Sequence, residues 1–377
     1  MDKELKDLRI QIDEIDTEIV GLFKKRMDIA KKTGDYKREH NMSILDSGRE
    51  QAVVDQAATL VSDDLKGEVS LLMRSMMALS RQYQRNLLFA NDEPLLPAAA
   101  TPKTTDVRCV YSGVPGAWGE AATSKLFPGA ALVSVEFFED VFSAVKKKDA
   151  DYGVVPIENS QSGAIGETYD LLRKYGCYIV GRTWVDIKQC LLAVPGAKLK
   201  DIREVYSHPE GFKQCHRFLM DKPWDFIATS NTAVAAKKVS GESDLKIAAI
   251  GSRFAAELNG LNVLVPDIMD SANNRTSFVV IGREPEYTEK SDLISITFAL
   301  SHRSGSLCEA LMPFMASGLN LTRIESRPSS AENFRFFAEI AGNILDPLVI
   351  DTLQHAAGVT EYLEVIGCYN TLSGGAS

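Results

Sequence analysis

The residues best suited to binding a small dianion gather in the first ninety positions. Leu5, Leu8, Ile12, Ile15, Ile19 and Leu22 recur at alternating spacings of three and four, and the seam continues through Arg26 and Ile29. A guanidinium on a buried stripe is costly unless an anion or hydrogen-bond partners meet it. The alternative is an arginine snorkelling outward from near a helix end. Ser80 and Gln84 are i,i+4 neighbours beside a second apolar seam of Val69, Leu72, Met76 and Leu79. Lys37, Asp46, Arg49 and Glu50 cluster where the first helix gives way to the second. Together these side chains supply donors for carboxylates and an acceptor for a hydroxyl.

A second group lies further along. Tyr111-Ser-Gly113-Val-Pro-Gly116-Ala-Trp-Gly119-Glu120 reads as strand, glycine-rich turn and helix, with Glu136 about twenty residues on. Its spacing is G-x-x-G-x-x-G rather than the dinucleotide fingerprint, so it argues only weakly for a nicotinamide cofactor. A helix N-terminus behind glycines accepts a carboxylate as readily as a phosphate. Polar runs follow: Glu158-Asn159-Ser160 with Ser162-Gly163, Ser207-His208-Pro209 with Gln214, Asn231-Thr232, and Asn274-Arg275-Thr276-Ser277-Phe278. Hydroxyls and amides dominate this set.

Three kinds of element must position these groups. Residues 1–90 hold no proline and read as a helical bundle, with a shorter helix at about Ser47 to Val61 between two long ones. Residues 91–106 carry three prolines and no periodicity, which predicts a linker. From Val107 short β-rich runs (Arg108–Tyr111, Tyr152–Pro156, Gln189–Val194, Glu204–Ser207, Ala248–Ile250, Phe278–Ile281) alternate with helical stretches such as Glu120–Leu126 and Phe212–Met220. That predicts a layered α/β domain over 107–282. Residues 291–377 then read strand, helix, strand, strand, helix, strand, the βαββαβ order of ferredoxin-like α+β domains.

Bulk properties narrow the partners. The net charge of -9, from 51 acidic against 42 basic residues, argues against nucleic acid. The 6 cysteines form no C-x-x-C pair, which excludes common zinc and redox motifs and suits a reducing compartment. No long apolar run or signal-like N-terminus is present, so a cytoplasmic protein without membrane contact, metal or cofactor is expected.

In context, these residues resemble known families. Leu8-Arg9, Arg26, Gly34-Asp35-Tyr36-Lys37, Asp46-x-x-Arg49-Glu50 and Ser80-x-x-x-Gln84 look like the all-helical chorismate mutases. The resemblance implies that Arg9, Arg26 and Arg49 hold the two carboxylates of chorismate, with Ser80 assisting. Lys37 and Gln84 would hydrogen-bond the breaking ether oxygen, and Glu50 with the Asp46 region would hold the ring hydroxyl. A Claisen rearrangement needs no nucleophile or cofactor, only a compact conformer and donors aimed at growing negative charge. Arg9 and Arg26 are 26 − 9 = 17 residues apart, or ~25 Å along one straight helix. One of them must therefore come from a second subunit, which predicts an obligate homodimer, or a higher homo-oligomer, with shared sites.

The motifs over 107–282 resemble prephenate dehydratase and imply a two-lobed, periplasmic-binding-protein-like fold with substrate between the lobes. On that resemblance Thr276 belongs at the reacting centre, and Asn159, Ser160, Gln214, Ser207 and Thr232 bind and orient prephenate. Glu158 and His208 are candidate acids, each equally readable as structural. Two departures stand out: Ser277 where the family carries arginine, and Gln189 where it commonly carries histidine. Arg275 or another cation would then have to substitute. Gly305-Ser306-Leu307 and Glu325-Ser326-Arg327-Pro328 resemble the ACT domain of phenylalanine-sensitive dehydratases. This implies an effector pocket from Ser304, Gly305, Ser306, Leu307, Asn320, Leu321, Glu325, Ser326 and Arg327. A ligand-free βαββαβ dimerisation module is the alternative.

Overall fold

The structure, a computed structural model, describes residues 3–42, 44–88, 94–328 and 334–372. In chain order it opens with helices α1 (Lys3–Glu39), α2 (Ser47–Ala58) and α3 (Lys66–Leu88). Asp46 caps α2 by accepting from the Arg49 backbone N–H at 3.0 Å, which satisfies a donor the helix itself cannot. α3 packs against both α1 and α2, around a small core of Ala30, Val54, Met77 and Ala78.

The expected apolar seam of α1 divides in two. Arg26 and Ala30 pack toward α3, whereas Leu5, Leu8, Ile12, Ile15, Ile19 and Leu22, and beyond them Ile29, are all 42% or more exposed. A run of aliphatic side chains left in water is the mark of a missing partner surface.

Short strands and helices then alternate: β1 (Arg108–Ser112), α4 (Trp118–Leu126), β2 (Ala131–Val135), α5 (Phe138–Lys147), β3 (Tyr152–Asn159), β4 (Gly163–Ala164), α6 (Gly166–Tyr175) and β5 (Tyr178–Asp186). The chain next builds β6 (Cys190–Ala193), β7 (Glu204–Ser207), α7 (Pro209–Gln214), α8 (His216–Leu219), β8 (Asp225–Ala228), α9 (Thr232–Glu242), β9 (Ile247–Gly251), α10 (Arg253–Leu258) and β10 (Asn262–Val265). It returns through β11 (Arg275–Gly282). β11 inserts between β3 and β5, antiparallel to both, giving the order β2-β1-β3-β11-β5 with β4 on β3. The intervening strands form a second sheet, β10-β6-β9-β7-β8. Two sheets joined by two crossings make two lobes, each with its own buried cluster.

β12 (Leu293–Ala299), α11 (Ser306–Ser317), β13 (Leu321–Pro328), β14 (Phe334–Ala341), α12 (Pro347–Ala357) and β15 (Tyr362–Tyr369) complete the chain. Their strands order as β13-β14-β12-β15, the ferredoxin-like arrangement expected from βαββαβ.

By packing the chain falls into two compact units. One comprises Met1–Leu95 with Phe298–Gly318 and Pro347–Leu363, and the other holds the remainder. The last segment therefore does not form a compact unit of its own: α11 and α12 group with the helical bundle, and α12 touches α3. The expected linker is also revised. Residues 91–93 lie outside the described residues, but from Leu96 the stretch belongs to the α/β unit. Leu96 is buried, the Ala100 N–H donates to the Pro285 carbonyl at 2.8 Å, and the Lys103 N–H donates to the Tyr152 hydroxyl at 2.9 Å. Proline and leucine together make a fitted strap rather than a free tether.

Candidate active sites

The helical unit contains a pocket of about 330 Å³ lined by Arg26, Lys37, Asp46, Arg49, Glu50, Ser80 and Gln84, together with Arg81. α1 supplies Arg26 and Lys37, the start of α2 supplies Arg49 and Glu50, and α3 supplies Ser80, Arg81 and Gln84. The Arg26 guanidinium donates to the Ser80 hydroxyl and to the Met76 carbonyl, the latter at 3.1 Å. Burial lowers its pKa, and the charge of Glu50 partly offsets that. It therefore points inward rather than snorkelling. Lys37 Nζ donates to the Ile44 carbonyl at 2.5 Å.

Gln84 is 7% exposed, and its Oε1 is buried with no hydrogen-bond partner among the described residues. Gly34 permits this placement, because a Cβ there would lie 3.0 Å from Gln84 Cγ. Arg9 is not among the lining residues. It sits on the exposed half of α1, as the helical rise requires. Motif reading misses Arg81, since an arginine one position after a serine carries no signal until α3 is packed.

The second pocket, about 270 Å³, lies between the two lobes of the α/β unit. Asn159 and Thr276 reach it from the first sheet; Gln189, His208, Gln214, Asn231 and Thr232 reach it from the second lobe, and Trp118 from α4. Asn159 Nδ2 donates to Thr276 Oγ1 and to Asn274 Oδ1, both at 2.9 Å, while its Oδ1 accepts from the N–H groups of Gln161 and Ser162. The amide is thereby locked beside the threonine. His208 Nδ1 accepts from the Glu210 N–H at 3.1 Å and caps α7. That assignment leaves the ring proton of a neutral His208 on Nε2. Asn231 caps α9, so the N–H groups of its first turn and Thr232 open the helix at the pocket.

Several expected residues lie elsewhere. Glu158 alternates with Asn159 along β3, and its carboxylate is paired with Arg182 and Arg323, at 3.4 and 3.1 Å, outside this pocket. Ser207 is fully buried and donates to the Ile250 carbonyl at 3.3 Å, and a Cβ on Gly211 would collide with its hydroxyl. Ser160 clips β3 to β11 through the Asn273 carbonyl and the Arg275 N–H, each at 3.0 Å. None of the three lines the pocket, because strand alternation and local turns claim them.

The two sequence departures find explanations. Ser277 faces away from the Thr276 side and accepts from Arg182 Nε at 2.7 Å. A guanidinium thus reaches that face of β11 from β5. Arg275 does not enter the pocket but stacks 4.4 Å over Trp184. Among the described residues lining the pocket there is no lysine or arginine. Gln189 is buried and donates to Gln214 Oε1 at 3.2 Å, taking a place in the site.

The glycine-rich turn is closed by its own chain, since Glu120 Oε2 accepts the Gly116 N–H at 2.6 Å. A carboxylate already occupies the donor that a pyrophosphate would use. Three buried cysteines are poor nucleophiles: burial pushes Cys109 and Cys215 up to about 12 and Cys177 to about 11. No group of three or more potential metal ligands occurs among the described residues.

The segments proposed for an effector fall in both units. Ser304, Gly305, Ser306 and Leu307 form the start of α11, with Gly305 capping it at φ +83°. Asn320 and Leu321 open β13, where Glu325 meets Arg323 at 3.5 Å and Arg327 meets Asp170 at 3.0 Å; Ser326 is exposed.

Comparison with known proteins gives two family matches, chorismate mutase type II over residues 8–85 and prephenate dehydratase over residues 109–286. A bifunctional chorismate mutase/prephenate dehydratase of Enterobacter agglomerans is 30% identical, over 98% of this chain and 96% of that one. The arogenate dehydratase/prephenate dehydratase 1 of Arabidopsis thaliana is 33% identical over 76% of this chain and 80% of its own length. Among solved structures, a prephenate dehydratase from Arthrobacter aurescens in complex with L-Phe superposes with a TM-score of 0.65. It is 28% identical, covering 72% of this chain and 92% of that chain. No helix among the described residues is long and apolar enough to cross a membrane.

Proposed function

We infer the chemistry of both pockets from one premise: the chain belongs to the family of bifunctional chorismate mutase/prephenate dehydratases. It is an isomerase and a lyase in a single polypeptide, converting chorismate to prephenate and prephenate to phenylpyruvate. The observation that carries the residue assignment is the convergence of Arg26, Lys37, Arg49, Glu50, Ser80 and Gln84 on one cavity.

In the helical pocket Arg26 and Arg49 bind carboxylate oxygens and hold chorismate in its compact conformer, with Ser80 fixing the Arg26 fork. Lys37 and Gln84 direct N–H donors at the ether oxygen, where negative charge grows as the bond breaks. Glu50, with Asp46 nearby, accepts the ring hydroxyl. Arg9 completes the carboxylate clamp from a second copy of the chain, whose α1 covers the exposed Leu5–Leu22 stripe.

In the interlobe pocket prephenate loses its ring carboxylate as CO2 and its hydroxyl as water. Thr276, held by Asn159, lies at the reacting centre, and Gln214, Gln189 and Thr232 orient the substrate. With no cation in the lining, the N-terminus of α9 and neutral donors hold the carboxylates. Of the two candidate acids only His208 lines the pocket, where its Nε2–H hydrogen-bonds the departing hydroxyl while the proton that makes water of it comes from solvent; Glu158 is spent on its two arginines. Ser160 and Ser207 support the site from behind it.

The segment over 291–377, with its four-stranded sheet, acts as an ACT-type regulatory domain that binds phenylalanine. The ferredoxin-like strand order and the L-Phe complex of the Arthrobacter relative support this reading. Phenylalanine shifts the population toward a less active state, which requires unequal affinity for the two.

A coupled assay of the full chain tests these assignments together. Chorismate absorbance should fall, phenylpyruvate should appear without added nucleotide or metal, and phenylalanine should slow its appearance. Chorismate left unconsumed would remove the mutase reading, and prephenate accumulating without phenylpyruvate would remove the dehydratase reading.

A further inference from the structure

Beside the helical pocket a buried cation joins two distant parts of the sequence. Arg81 on α3 is 5% exposed and follows Ser80 directly. Its Nη1 donates to Glu50 Oε1, and its Nη2 donates to Glu309 Oε1 at 2.8 Å. Glu309 lies in the first turn of α11, 228 residues away, yet in the same compact unit. Arg303, just before α11, grips the same carboxylate with both terminal nitrogens, one of them at 3.0 Å from Oε1. Burial alone would raise the pKa of Glu309, but the hydrogen bond from Arg303 and the nearby charges of Arg81 and Arg303 outweigh it, and the group stays ionised.

Charge and geometry give this chain of pairs a consequence. A guanidinium this buried needs full neutralisation. If Glu50 alone supplied it, both carboxylate oxygens would be drawn into a bidentate fork. A substrate hydroxyl would then have to share an oxygen, and its direction, with the fork. With Glu309 taking the second nitrogen, Arg81 is neutralised from both sides and Glu50 commits only Oε1 to the pair. The four groups Glu50, Arg81, Glu309 and Arg303 sum to zero charge.

We propose that Glu309 is a positioning residue of the mutase site: acting through Arg81, it keeps one Glu50 oxygen free for the substrate hydroxyl. The helical region of residues 8–85 is then not a self-sufficient mutase, because α11 from the far end of the chain supplies part of its electrostatic frame. This rests on the assignment of Glu50 to the hydroxyl.

Steady-state kinetics on the full chain test it, with dehydratase turnover of the same preparations as the control for folding. Glu309→Gln should lower mutase kcat/KM about tenfold, the scale expected when a reacting group is displaced, with phenylpyruvate formation from prephenate unchanged. Glu309→Asp, which keeps the charge, should stay within about threefold of the parent. The double variant Glu50→Gln/Glu309→Gln should match Glu50→Gln alone within about twofold, because residues acting through one another are not additive. Should Glu309→Gln not fold, Arg81→Lys, whose ammonium cannot fork between two carboxylates, is put through the same cycle with Glu50→Gln. Mutase kinetics of Glu309→Gln equal to the parent, or losses that add fully to those of Glu50→Gln, would overturn the role of Glu309. A parent chain that leaves chorismate unconsumed would instead overturn the mutase assignment.

Discussion

The two pockets offer a carboxylate opposite surroundings. The helical pocket concentrates four cations, Arg26, Lys37, Arg49 and Arg81, in a chain whose net charge is -9. The interlobe pocket lines itself with amides, hydroxyls, one histidine, the Glu210 carboxylate and the start of a helix, and no lysine or arginine is among its described lining. The contrast matches the demands of the two reactions. A Claisen rearrangement develops charge on one ether oxygen and gains from fixed positive groups. A decarboxylative dehydration releases a carboxylate, and a guanidinium bound tightly to that group would hold back its departure as CO2. The proposed sites differ also in completeness: the interlobe lining comes from one chain, whereas Arg9 does not line the helical pocket and, on the proposed assignment, would come from a second copy.

The sharpest way to break this contrast is a crossed pair of substitutions. Arg26→Ala should reduce mutase kcat/KM by about 10²–10³-fold, the cost of removing one preorganised donor, and leave dehydratase turnover unchanged. Thr276→Ala should do the reverse, with a loss of about 10²-fold in phenylpyruvate formation. If either variant lowers both activities equally, the two sites are not independent.

A smaller effect probes completeness. Ile15 is 56% exposed, so Ile15→Asp should leave the fold of a single chain intact while disfavouring a partner α1. Sedimentation should show a lighter species, and mutase activity should fall about tenfold on dilution while dehydratase activity holds. A light species with undiminished mutase activity would remove the shared-site geometry.

The smallest effect concerns acid. Glu309 in the helical unit titrates below its ordinary 4.5: burial raises it, but Arg303 and Arg81 lower it further. A carboxyl lowered in the folded state stabilises the fold above 4.5, and that contribution is lost as pH falls through the lowered value. Glu286 beside Tyr152 is raised instead, since burial outweighs the tyrosine hydrogen bond. Its contribution is present below 4.5 and is lost as pH rises through the raised value. Hydrogen exchange followed downward from about pH 5 should therefore loosen α11 and α3 before the strap at 96–106, and Glu309→Gln should blunt that difference. Equal protection of both regions in the parent would remove the asymmetry.

Much of this was legible before folding. The 3.6-residue period of the first helices, the alternation of the α/β segment and the βαββαβ order are local patterns that any partner surface must respect. Strand and helix ends shifted by a few residues. The more exposed or irregular elements, β2, β8 and β10, lacked the contrast that makes a strand readable, and Phe212–Met220 proved to be two short helices rather than one. Motif reading named Arg26, Lys37, Asp46, Arg49, Glu50, Ser80 and Gln84 in the helical pocket and missed Arg81, because charged groups on an apolar seam announce themselves. It placed Thr276 rather than Ser277 at the centre through the family resemblance, but it could not separate Asn159 from Glu158, since neighbours on a strand face opposite sides and only sheet register tells which side holds the site.

The sequence by itself therefore determined the element types and the two families of motif, and helical rise alone separates Arg9 from Arg26 along α1. Tertiary structure alone decided which of two adjacent residues lines the pocket and which is tied to a neighbouring sheet. It also decided that the proline-rich stretch is a bound strap, and that Glu309 stands next to Arg81. The physical reason is range: period and spacing are set by bonds a few residues long. An ion pair between positions 228 residues apart exists only once packing has removed the water between them.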